Sequence, residues 1–255
     1  MDLGLKGRKC IVTGATKGIG LATAKQFAAE GADLAICSRN VDDVNAVVEL
    51  LQAEGVEAYG DGVDLFDEEA YTAWLKRAAR DLGGVDVFVA NVTGGSSLGS
   101  AAAEAWQEFF DVDLMGAVRG FDTLLPFLTE SDDAAVVFVG TTAALEHFPV
   151  SPPGYAALKA ASVVHANTLA QIHGRKGIRV NAVSPGTVYD EGGAWAQIEA
   201  ALPDVFNKTV RSVPLGRMGT PEEIARYIAF VASPAGSYIS GANCVIDGGL
   251  TKAVG

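Results

Sequence analysis

Alternation is the feature that most constrains this chain. Seven short apolar runs rich in β-branched residues, at positions 10–13, 34–37, 56–59, 85–90, 134–139, 180–183 and 244–246, are each too short for a stable helix and read as strands. Between most of them lie stretches of helical composition, at 20–30, 41–54, 68–82, 101–128, 155–173 and 221–232. Strands alternating with helices predict a parallel sheet covered on both faces, and strands buried on both sides read as unbroken apolar runs, as VDVFVA and AAVVFV do. The expected fold is therefore a doubly wound α/β domain. No internal repeat, low-complexity tract or Pro/Ser-rich linker divides the 255 residues, so one domain spanning 1–255 is expected. Positions 187–213 break the rhythm. They hold Gly192, Gly193, Trp195, Pro203 and Phe206 without a strand, and read as a mobile insertion close to a ligand.

The first strand runs directly into Thr13-Gly14-Ala15-Thr16-Lys17-Gly18-Ile19-Gly20, after which helical composition begins. Gly14, Gly18 and Gly20 let the backbone turn sharply and approach a pyrophosphate, while the N–H groups and positive dipole end of the following helix receive its charge. A glycine-rich turn without a ligand is the plainer alternative. Its position, after the first strand and opening a helix, favours the nucleotide.

Charge excludes several partners. With 31 acidic against 19 basic residues the formal net charge is −12, which repels phosphodiester backbones and anionic lipid surfaces, and no Lys/Arg cluster stands out against it. Neither nucleic acid nor a membrane is an expected partner. Cys10, Cys37 and Cys244 each sit in an apolar stretch with no CxxC spacing, as reduced buried thiols would. His147, His165 and His173 are scattered, with no acidic or cysteine neighbours at ligand spacing, so no metal is expected. The N-terminal stretch has no apolar run of signal-peptide length, and a cytoplasmic location is the expectation.

The TGxxxGxG spacing of the glycine turn resembles that of the short-chain dehydrogenase/reductase family, and the resemblance runs along nearly the whole chain. Asn91-Val92-Thr93-Gly94 stands where the family has NNAG after the fourth strand. Tyr155-Ala156-Ala157-Leu158-Lys159 matches its YxxxK, followed by Asn181-Ala182-Val183-Ser184-Pro185-Gly186 and the closing Asp247-Gly248-Gly249. Membership implies a Rossmann-type sheet of order 3-2-1-4-5-6-7, with a nicotinamide cofactor across its carboxyl edge. It also implies assembly as a dimer or tetramer through the small-residue-rich helix at 155–170.

Ser38 and Arg39 end the second strand, about twenty residues past the glycine turn, where an NAD enzyme places an acid on the ribose 2′-hydroxyl. Arg39 instead offers a guanidinium to a 2′-phosphate, and Lys17 reaches the same group from within the turn. NADP is therefore expected ahead of NAD, although each cation read alone is an ordinary surface charge. The resemblance further implies that Thr16 and Ile19 belong to the phosphate turn, that Asp64 and Leu65 flank the adenine, and that Asn91 meets the adenosine ribose. By the same carry-over, Pro185, Gly186 and Val188 border the nicotinamide.

Residues four apart on a helix share a face, which sends Tyr155 and Lys159 into one cleft. A free tyrosine, with a pKa near ~10, is a poor base at neutral pH, and an adjacent ammonium favours its phenolate. Tyr155 is then the proton donor in reduction and the acceptor in oxidation, with Lys159 lowering its pKa and holding the ribose. The family serine thirteen residues before the tyrosine corresponds to Thr142, with Thr141 as the reserve. The family asparagine that supports a proton relay corresponds to Asp113, an acid. Trp195 and Phe206, with Leu145, Phe148 and Tyr189, form an apolar substrate wall or simply pack the insertion onto the body.

The leading expectation is an NADP(H)-dependent oxidoreductase acting on a ketone or secondary alcohol, the 3-oxoacyl reductase type among its candidates. The altered positions 113 and 142 keep open a cofactor-binding protein that has lost its chemistry. An epimerase or dehydratase on the same scaffold is a third reading.

Overall fold

A computed structural model of the chain describes residues 2–94 and 103–252, apart from the side chain of Pro153. Seven strands, β1 (Lys9–Thr13), β2 (Asp33–Ser38), β3 (Ala58–Gly62), β4 (Val87–Ala90), β5 (Ala134–Val139), β6 (Ile178–Pro185) and β7 (Asn243–Ile246), form one sheet. Its order is β3-β2-β1-β4-β5-β6-β7, and every pairing is parallel. The expected doubly wound architecture is present.

Two apolar layers hold it together. On one face α1 (Gly18–Ala29), α2 (Val41–Gln52) and α9 (Pro221–Ala232) bring Phe27, Val44, Leu51, Ile224 and Ile228 onto the sheet. On the other, α3 (Glu68–Asp81), α5 (Met115–Thr129) and α6 (Pro153–His173) pack Tyr71, Leu75, Phe121, Leu124 and Leu169 against Phe88, Val136 and Val180. The helix starts follow local chemistry. Asn40 accepts from the N–H groups of Asp42 and Asp43, and Thr220 and Glu223 close a reciprocal capping box.

Three expectations need correction. The third strand begins two residues later than residue 56, because its register is set by pairing with β2, Leu34 opposite Ala58 through Ser38 opposite Gly62. A glycine-bearing edge strand shows little of that in its own apolar pattern. The helical interval 101–128, whose first two residues lie outside the described set, is divided: α4 (Ala103–Phe109) passes through a π-turn at Phe110–Leu114 before α5. Finally, the segment at 187–213 carries two helices, α7 (Ala194–Ala201) and α8 (Pro203–Ser212). Pro203 starts the second, and rings tie the pair together, Trp195 lying 6.4 Å from Phe206 and Phe206 lying 5.9 Å from Tyr189.

β1 pairs with β2 on one side and β4 on the other, so the chain direction of the sheet order reverses between β1 and β4. A crevice opens there beyond the carboxyl ends of the strands, the place where open α/β sheets bind ligands.

Candidate active site

The crevice is a cleft of about 520 Å³. Its floor is the glycine turn. Gly14 and Gly18 have φ of +65° and +53°, values side chains resist, and a Cβ on Gly20 would collide with the Gly14 carbonyl oxygen and the Asn91 amide. Asn91, at the end of β4, donates from Nδ2 to the Gly14 carbonyl at 3.1 Å and from its backbone N–H to Thr13 Oγ1 at 3.1 Å. Asn91 therefore pins the turn in shape. Helix α1 opens from it with no side-chain cap at Lys17, which leaves the first-turn N–H groups free to receive an anion. These residues fit a pyrophosphate.

Thr16, Lys17, Gly18 and Ile19 border the cleft with Ser38, Arg39, Asp64 and Leu65 at one end, and Pro185, Gly186 and Val188 at the other. Gly20 lies buried beneath the turn. Thr16 Oγ1 donates to Ser38 Oγ at 2.9 Å, which joins the turn to the end of β2. Arg39 is exposed, and Lys17 pairs with the exposed carboxylate of Asp43, at 3.7 Å. A surface pair of that kind contributes little and yields readily to a phosphate.

Tyr155 stands in the first turn of α6, begun by Pro153, and its ring lies 5.6 Å from that of Phe109 on α4. Lys159, one turn on, is 4 % exposed. Its ammonium donates to the carbonyls of Val139 at 3.0 Å and Val92 at 3.3 Å, and lies 3.1 Å from Asp113 Oδ1. Asp113, buried in the π-turn, accepts from the Gly94 N–H through Oδ2 at 2.8 Å. It does not border the cleft. It sits behind the lysine and joins it to the loop after β4. Burial and three groups set the Tyr155 phenol: burial raises its pKa most, Lys159 and the Thr141 hydroxyl lower it, and Asp113 raises it, with a net rise above the ordinary tyrosine value.

Of the two adjacent threonines it is Thr141, the reserve candidate, whose hydroxyl lowers the phenol pKa, while Thr142 lines the same space beside Tyr155. Thr141 has extended backbone and accepts from the Ala143 N–H at 3.2 Å, while Thr142 opens the short 3₁₀ turn and is 7 % exposed. Chain spacing cannot distinguish two adjacent threonines. The turn that aims them can.

A second cavity of about 450 Å³ adjoins the cleft, and Thr93, Thr141, Tyr155, Gly186, Ala194 and Trp195 border both. Phe148 and Trp195, their rings 6.1 Å apart, wall this cavity, while Phe206 and Tyr189 pack α8 behind them and Leu145 is exposed. Sequence reasoning missed Phe109, whose support of Tyr155 depends on a helix pairing, and the carbonyls of Val92 and Val139, which carry no side-chain signal.

A phosphate-receiving turn at the switch point, with a phenol and a buried ammonium farther along the same cleft, defines a Rossmann-type oxidoreductase. The enoyl-(acyl carrier protein) reductase family model matches residues 14–251. The chain belongs to the short-chain dehydrogenase/reductase family. It is 33 % identical to an isoepoxydon dehydrogenase of Aspergillus clavatus, over 96 % of this chain and 95 % of that one. With a 3-oxoacyl-[acyl-carrier-protein] reductase of Thermotoga maritima it shares 31 % identity, over 96 % and 98 %. L-sorbose reductase of Gluconobacter frateurii, solved with NADPH and L-sorbose, superposes with a TM-score of 0.90 at 29 % identity, covering 100 % of each chain.

Proposed function

We propose that this chain is an NADP(H)-dependent reductase or dehydrogenase of ketones and secondary alcohols. The observation that carries the reading is the place of Tyr155, at the seam between the cofactor-shaped cleft and the second cavity, beside both Lys159 and Thr141. When bound, the nicotinamide supplies the hydride in reduction or takes it in oxidation. Tyr155 Oη gives its proton to the carbonyl oxygen in reduction and removes the alcohol proton in the reverse direction. Thr141 donates a hydrogen bond to the same oxygen, and Lys159, held by Asp113 and two carbonyls, stabilises phenolate. Arg39 and Lys17 are the cations that would hold a 2′-phosphate, which supports NADP ahead of NAD.

The loss of NADPH absorbance with a panel of ketones tests this reading. Turnover supports it, and tight NADPH binding without turnover on any ketone sinks it. A second reading, a cofactor sensor without efficient chemistry, has one observation in its favour: the Lys159 ammonium donates to two backbone carbonyls and lies against the buried carboxylate of Asp113, an acid where the family has an asparagine. The same assay separates the two.

A homo-oligomer is the assembly that best fits α6, where Val164 and Ile172 are 67 % and 60 % exposed. Among the described residues no helix is long and apolar enough to cross a membrane. The free cysteines, Cys10 and Cys37 buried and Cys244 partly so, are consistent with a reducing, cytoplasmic setting.

A further inference from the structure

Resting on the reading of the cleft as the seat of a nicotinamide cofactor, we propose that the carboxylate of Asp190 opposes the cofactor's pyrophosphate and so holds down the affinity of the protein for that cofactor. Among the described residues that border the cleft, the carboxylates are those of Asp64 and Asp190. Asp64 belongs to the end shared with Ser38 and Arg39, and its Oδ1 accepts from the Phe66 N–H at 3.1 Å. Asp190 stands at the glycine turn. Its Oδ2 lies 3.8 Å from where a Cβ on Gly18, the first residue of α1, would sit, and 3.6 Å from where one on Gly193, just before α7, would sit.

The Asp190 carboxylate takes no hydrogen bond and no ion pair among the described residues, and Lys17 pairs with Asp43 instead. A negative charge in that place shares the positive field at the start of α1 that a phosphate would use. The pyrophosphate therefore binds against a resident like charge. Backbone bonds on both sides keep the residue there. The Asp190 carbonyl accepts from the Gly193 N–H at 2.9 Å, and the Tyr189 N–H donates to the Gly219 carbonyl at 2.9 Å. The Tyr189 hydroxyl, donating to Glu199 at 2.6 Å, ties the same strand of chain to α7. The opposing charge is thus fixed in the same framework that shapes the anion-receiving turn.

The experiment measures dissociation constants by calorimetry for the parent protein and for Asp190→Asn, Asp190→Ser and Asp190→Glu, with NADPH, NADH and adenosine 2′-monophosphate as ligands. Asn and Ser open a turn as readily as Asp does, so both keep the loop while removing the charge. At about 0.01 M salt, where the Debye length is about 30 Å, both neutral variants should bind NADPH and NADH about three- to tenfold more tightly than the parent. Asp190→Glu, which keeps the charge, should stay within about twofold of the parent. At about 1 M salt, where the Debye length is about 3 Å, the gain of the neutral variants should shrink below about twofold. Adenosine 2′-monophosphate carries no pyrophosphate and should bind the parent and all three variants alike. Unchanged or weaker NADPH binding in both neutral variants, a gain indifferent to salt, a gain shared by Asp190→Glu, or an equal gain for adenosine 2′-monophosphate would each overturn the proposal. Binding of neither NADPH nor NADH to any of these proteins would instead remove the cofactor reading of the cleft, and the role of Asp190 with it.

Discussion

The ammonium of Lys159 lies 3.1 Å from Oδ1 of Asp113, and both side chains are buried, at 5 % and 0 % exposure. The other oxygen of Asp113 holds the Gly94 N–H at 2.8 Å, so one carboxylate ties the lysine of α6 to the loop after β4. A buried pair of this kind is sensitive to the loss of one partner, because the survivor is left uncompensated.

Asp113 acts on Tyr155 with two opposed effects: it holds the lysine that lowers the phenol pKa, and its own charge raises that pKa. Asp113→Asn removes the charge but keeps an acceptor for Gly94, and should change kcat by less than about tenfold. Alcohol oxidation requires phenolate, so its rate climbs as pH rises through the Tyr155 pKa. With the raising charge gone, that limb should move to lower pH. Asp113→Leu strands both Lys159 and Gly94 and should cost more than about tenfold in kcat, roughly 1.4 kcal/mol. Near-normal rates and unshifted pH profiles in both variants would show that the acid is structural only.

Tyr155→Phe deletes the proton donor while keeping the ring that packs on Phe109. A drop in kcat of at least about a hundredfold, with NADPH affinity retained, is the expected result. Steady-state rates and fluorescence titration of NADPH measure the two quantities separately, and turnover like that of the parent protein would remove Tyr155 from the chemistry.

The threonine pair can be separated by isosteric substitution. Thr141→Val removes the hydroxyl that reaches the phenol and should lower kcat/KM by about ten- to a hundredfold, at or below the loss of one donor to a developing oxyanion. Thr142→Val should have the smaller effect. If the order is reversed, the short turn presents Thr142 to the reacting oxygen during catalysis.

Arg39 is exposed at the end of the cleft and Lys17 holds a loose pair with Asp43. Arg39→Asp replaces a 2′-phosphate partner by a like charge. NADPH affinity should fall by about ten- to a hundredfold relative to NADH, equivalent to roughly 1.5–3 kcal/mol. A parent protein that already prefers NADH would contradict the assignment.

Much of this was legible along the chain because it is written in local periods. Short unbroken apolar runs and helical intervals set the order of elements, and three glycines within one turn announce a backbone that must approach a ligand. The i, i+4 spacing of Tyr155 and Lys159 puts two chemical groups on one helical face before any tertiary contact is known. These signals depend on residues adjacent in sequence, whose geometry the helix and the turn dictate.

The remainder required chain segments far apart to meet. The register of β3 comes from β2, since a short edge strand with two glycines has too little apolar pattern of its own to specify it. Whether Thr141 or Thr142 meets the phenol depends on the φ and ψ of a single turn, which adjacent threonines do not encode. The ion pair of Asp113 with Lys159 spans 46 positions, and it exists because the π-turn delivers the carboxylate to α6 at the point where the Val92 and Val139 carbonyls already surround the ammonium. The sequence by itself determined which groups the protein has and the order of strands and helices along the chain. The tertiary structure decided which of those groups touch, because burial and hydrogen-bond satisfaction are settled only when the whole sheet edge is assembled.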